Sequence, residues 1–134
     1  MGPNIIRNFT EMSMLSAFTT QLVNFFEDLV ATFPEERDIK MALEAIKGAK
    51  KVNPRLILDL YYEHVYKDLS AAIANRDIVT IRAMAQHKIA SQFNEMTSAL
   101  AIFDKHWDSM GVSNQESIWK YLTVLSVLCE KARA

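Results

Sequence analysis

Residues 89–110 read IASQFNEMTSALAIFDKHWDSM, and their large apolar side chains keep a helical period. Ile89, Phe93, Met96, Leu100, Phe103, Trp107 and Met110 are separated by 4, 3, 4, 3, 4 and 3 residues. That alternation puts them on one stripe of a helix turning once per 3.6 residues. The spacing predicts a long amphipathic helix that ends at Gly111, where the missing Cβ suits the left-handed conformation that closes helices. It leaves open whether residues 77–110 form one helix or two. A stripe this bulky must be covered, so the rest of the chain has to supply helices with matching apolar faces.

The N-terminal half supplies them. Leu15, Phe18, Leu22, Phe25 and Leu29 repeat at 3, 4, 3 and 4, with Thr19, Asn24, Glu27 and Asp28 on the other face. Residues 1–13 lack a clear period and read as an arm, leaving 14–134 as the helical domain. Phe33 precedes Pro34, which disfavours helix at Phe33 and suits the first position of the next helix. That second helix carries Ile39, Leu43 and Ile46 and is expected to weaken near Gly48. Asn53-Pro54 then opens a third helix, the asparagine offering a cap and the proline needing no partner for its nitrogen. Ile57, Leu60, Tyr61, His64 and Val65 form its apolar side. Asn75 is a stop and Asp77 a new cap. Towards the C-terminus, Ser113 and Glu116 have capping-box spacing, and Ile118, Leu122, Leu125 and Cys129 form the last apolar row. With only three glycines and three prolines, the chain has little punctuation for many short strands. The reading is all-α, a single-domain bundle of five or six antiparallel helices joined by short turns.

Chemistry is harder to find. His64, His87 and His106 share no metal-binding spacing, and Cys129 sits on an apolar row with no histidine near it in sequence. The three glycines are too scattered for a phosphate loop. The expectation is therefore a protein that is not an enzyme, with no cofactor, metal or small-molecule substrate. A net charge of −1 gives no global attraction to nucleic acid. One cysteine, no secretory leader and no apolar run of membrane-spanning length suggest a reducing cytoplasmic or nuclear compartment and no membrane. Lys47, Lys50, Lys51 and Arg55 cluster at the turn between the second and third helices. There they complement a helix dipole, or alternatively neutralise phosphates as a local basic corner. Tyr62 and Tyr66, four apart and off the Ile57 stripe, read as an exposed amphipathic pair of the kind that anchors interfaces. The candidate contact residues are Tyr62, Tyr66, Lys50, Lys51 and Arg55.

Three motifs carry a resemblance. Phe33-Pro34-Glu35-Glu36, Lys50-Lys51-Val52-Asn53-Pro54-Arg55 and Ile118-Trp119-Lys120-Tyr121-Leu122-Thr123-Val124-Leu125 resemble, in order and spacing, small uncharacterised helical proteins of large nucleocytoplasmic DNA viruses of algae and protists. The likeness spans residues 18–131 and departs near Ile78–Ile81, where those proteins tend to carry aromatic residues. It implies a viral origin and a virion- or virus-factory-associated role, and it implies no catalytic residue. The functional reading is a non-enzymatic helical module that binds a protein partner or copies of itself. The alternative is nucleic-acid association through the basic corner.

Overall fold

The computed structural model describes residues 3–134, with side chains from Met14 onward. Helix α1 spans Pro3–Thr32, α2 Arg37–Val52, α3 Pro54–Tyr61, α4 Lys67–Ala74, α5 Ile78–Ser91, α6 Glu95–Lys105 and α7 Val112–Arg133. A π-turn at Tyr62–Tyr66 joins α3 to α4 in one rod, and a 3₁₀ turn at Trp107–Ser109 follows α6. The result is an all-α, single-domain bundle. α1 and α7 share the most extensive interface, and α2 packs against α1, α3 and α6. The backbone of 3–13 belongs to α1; how its side chains dock, which the arm reading leaves open, lies outside the described residues.

The apolar rows read from the sequence meet in one core. Phe18, Leu22, Phe25 and Leu29 of α1 pack with Ile39, Leu43 and Ile46 of α2, and with Ile118, Leu122, Leu125 and Cys129 of α7. Tyr61 sits at the centre. Its ring meets Phe18 edge-on at 5.2 Å, and its hydroxyl pairs with Ser126 Oγ at 2.9 Å. A second nucleus stacks Phe103, Trp107 and Trp119, with ring centroids 5.2–6.4 Å apart. Thr19, expected on the polar face of α1, is buried and donates to the Ser16 carbonyl at 3.1 Å. That bond satisfies its hydroxyl inside the core.

The expected helix over 89–110 is broken. α5 continues through Ile89 to Ser91, Gln92 is extended, and α6 starts after Asn94. The cause is local. Asn94 Oδ1 accepts from the amides of Met96 (2.9 Å) and Thr97 (3.1 Å), and Thr97 Oγ1 accepts from the Asn94 amide at 2.9 Å. This reciprocal cap satisfies donors that a new helix start leaves open, and so it competes with continued helix. Met96, Leu100, Phe103 and Trp107 keep the buried stripe, whereas Phe93 faces solvent.

Other ends also differ from expectation. Pro34 lies in a turn, and α2 opens later, at Arg37, with Glu36 as its N-cap. α2 runs unbroken through Gly48. Asn53 precedes α3 without a side-chain cap, although Pro54 does occupy the first turn. Gly111 is extended (φ −67°) and precedes α7; neither it nor Ser113 caps that helix with a side chain. Glu116 reaches instead to Arg76, with two contacts of 2.6 and 2.7 Å. Arg76 holds the left-handed conformation (φ 50°) after α4. The amides of Asp77 and Arg76 return to the carbonyls of Ala72 and Ile73, a Schellman closure. The bidentate pair helps hold a residue that lacks glycine's freedom there. Asn75 ends α4 and Asp77 caps α5 as the sequence indicates; Asp77 accepts from the Thr80 amide at 3.2 Å.

Candidate interaction surface

The break at Gln92–Asn94 leaves an aromatic side chain largely uncovered among the described residues. Phe93 is 73% exposed, and across from it on α2 Met41 is 71% exposed. They line a groove of about 280 Å³ whose walls are Asp38, Met41, Ala42 and Ala45 of α2 and Phe93, Asn94, Glu95 and Ser98 of the α5–α6 junction. Asp38 and Glu95 each lie in the first turn of a helix, where the dipole favours negative charge. They give the groove an acidic rim around an apolar floor. The outer face of α2 continues the patch. Asp38, Met41, Ala45, Gly48 and Val52, spaced 3, 4, 3 and 4, are all exposed, Val52 at 88%. Leu56 follows just beyond, also exposed.

The residues singled out from sequence fall in two places. Tyr62 and Tyr66 are not an exposed pair: both are half-buried and packed against the C-terminal end of α7. Their rings stack at 5.7 Å, the Arg133 guanidinium lies 3.6 Å over the Tyr62 ring, and Tyr66 donates to Glu130 at 3.3 Å. The π-turn contributes to this, since its extra residue rotates the rod relative to the straight helix assumed in sequence spacing. Lys50, Lys51 and Arg55 do gather where α2 passes into α3. Lys50 donates to Thr20 Oγ1 at 3.3 Å, and Lys51 and Arg55 are exposed. Lys47 pairs with Glu44 at 3.8 Å. Phe93 and Met41 escape a reading by period, because a stripe assigns Phe93 to the core. The signal was Asn94 followed three residues later by Thr97, which can exchange side-chain and backbone bonds.

Cys129 is buried on α7, and burial pushes its thiol up to about 11, far from the thiolate needed for nucleophilic attack. His64 is half-buried and His87 exposed within α5. His106 does find partners. It ends α6, stacks on Phe33 at 4.5 Å, and places Nε2 2.8 Å from Glu36 and 3.9 Å from Glu35. Glu35, Glu36 and His106 form a set of three donors of the kind that can hold a metal ion. Both Glu36 oxygens are already engaged, however, one by His106 and the other by Lys105 at 3.3 Å. As it stands the group is a clasp between the α1–α2 turn and the end of α6.

The hydrogen bond from His106, helped by Lys105, holds the Glu36 carboxyl below its usual range despite partial burial. A depressed carboxyl stabilises the fold at pH values above its unfolded pKa, and that contribution disappears as pH falls through the folded value. Glu36→Gln is therefore expected to lower the thermal midpoint at neutral pH and to flatten its decline in acid. A parallel acid limb in both proteins would refute the clasp. Comparison with protein-family models, with curated proteins and with solved structures finds no match for this chain.

Proposed function

We propose that this chain is a non-enzymatic helical interaction module that presents the outer face of α2 and the adjoining Phe93 groove to a protein. The observation that carries this reading is the pairing of Phe93 and Met41, two large apolar side chains that line one groove and remain mostly in solvent. Singly exposed apolar residues are ordinary, but an aromatic and a methionine gathered in an acid-rimmed concavity match the anchor-and-rim anatomy of interfaces. The burial of Cys129, which disfavours its thiolate, supports the non-enzymatic part. The basic corner is at the C-terminal end of α2, where lysines balance the helix dipole. Nucleic-acid binding remains the alternative it would serve. A viral, virion- or virus-factory-associated setting rests on the three-motif resemblance and belongs to the same proposal.

The test is capture from the native source with wild-type bait and a Phe93→Asp bait, each with and without nuclease. The reading expects a protein set that survives nuclease and is lost from the Phe93→Asp bait. Recovery that collapses with nuclease and is unaffected by Phe93→Asp would replace it with the basic-corner alternative.

A further inference from the structure

We infer that the occupant of this surface is a second copy of the chain, joined through antiparallel pairing of the two α2 helices about a two-fold axis near Ala45 and Gly48. The inference rests on the interaction reading above and names its partner. Three features of α2 support it.

The first is the symmetry of its exposed seam. Met41 and Val52 flank the small residues Ala45 and Gly48, so an antiparallel copy sets each Met41 opposite the partner's Val52. Eleven residues of helix separate the two side chains, about 16 Å. The same operation points Val52 and Leu56 of each copy towards the Phe93 groove of the other. An isologous interface requires such self-complementarity, in which i meets j and j meets i.

The second is charge. Asp38, which follows Arg37 in the first turn of α2, and Glu95 of α6 line the groove, whereas the exposed Lys51 lies at the end of α2 and the exposed Arg55 just beyond it. Antiparallel pairing brings the acidic groove rim of one copy to the basic corner of the other and opposes the helix dipoles. Parallel pairing would put Lys51 against Lys51. The basic corner thereby acquires a role that its mixed sequence context left open.

The third is Gly48. Glycine inside a helix is unfavourable relative to alanine, and, beyond its chain neighbours and the adjoining turns of its own helix backbone, a Cβ placed at Gly48 meets no described atom within 4 Å. Nothing in the described fold requires it. At the centre of a helix pair it lets two backbones approach closely.

The experiment is sedimentation velocity over a dilution series, on wild type and Gly48→Gln, with thermal midpoints measured at the lowest concentration. Wild type should show a concentration-dependent monomer–dimer equilibrium. Gly48→Gln should melt higher as a monomer, because its new side chain improves helix propensity in open space, yet its dimer dissociation constant should rise at least tenfold. Register is tested by cross-linking. Met41→Cys mixed with Val52→Cys should form a disulfide-linked heterodimer, while neither variant alone forms a linked homodimer. A wild type that stays monomeric at its highest soluble concentration overturns the inference. So does a Gly48→Gln protein that dimerises like wild type, or linkage in the single variants alone. If wild type is monomeric but the Phe93→Asp bait still loses its nuclease-resistant proteins, self-pairing fails and the interaction module stands. If Phe93→Asp alters neither capture nor dimerisation, the module itself fails.

Discussion

Tyr61→Ala should lower the unfolding free energy by about 3–5 kcal/mol, the range for removing a large buried aromatic side chain. Tyr61 is among the largest fully buried side chains of the domain, and it joins three helices. From α3 its ring meets Phe18 of α1, and its hydroxyl pairs with Ser126 while lying 3.5 Å from the Leu122 carbonyl of α7. Truncation would leave a cavity where α1, α3 and α7 converge, and neighbours held by rigid helices can collapse into it only in part. Tyr61→Phe separates the ring from the hydroxyl. It keeps the packing and removes one hydrogen bond, so its cost should be about 1 kcal/mol. Denaturant unfolding of the two variants measures both terms. A Tyr61→Ala cost near that of Tyr61→Phe would mean that the ring contributes little and that the core lies elsewhere.

Trp107→Ala and Phe93→Ala should separate by several kcal/mol although both residues occupy the same sequence stripe. Trp107 is buried between Phe103 and Trp119, pinning the 3₁₀ turn to α6 and α7. Its loss should cost about 3–5 kcal/mol. Phe93 faces solvent, so its replacement should change the stability of the monomer by no more than about 0.5 kcal/mol. The comparison uses the same denaturant curves at a concentration low enough to keep the protein monomeric. Equal costs would put Phe93 in the core and remove the ground for the groove. Unequal costs leave a large aromatic at the surface with no part in the folding of its own chain, and this is why it is read as a contact residue.

The clasp and the left-handed turn show how short-range and long-range chemistry divide the work of closing the bundle. Arg76 and Glu116 are forty residues apart, and His106 and Glu36 seventy. Neither pairing has a local signature. Each connects elements whose juxtaposition was first decided by apolar burial, and each then fixes a turn. A hydrogen bond from Tyr121 to Asp28 likewise links α7 to α1. There burial and the nearby carboxylate push the tyrosine up to about 12.

The amino-acid sequence by itself determined the all-α class, the buried rows of α1, α2 and α7, the end at Asn75 and the cap at Asp77. These depend on helical period and on side chains bonding within a few residues, which are visible without a partner. It misassigned Phe93, because a period of 3.6 shows that a residue could share a face but cannot show that the backbone stays helical between its members. Asn94 and Thr97 broke that continuity. Tyr62 and Tyr66 were read as exposed because the π-turn and the packing of α7 have no expression in spacing. What only the tertiary structure decided is which apolar side chains run out of cover. Burial depends on the other helices available to pack against each face, and on α2 the face of Met41, Gly48 and Val52 stays exposed among the described residues.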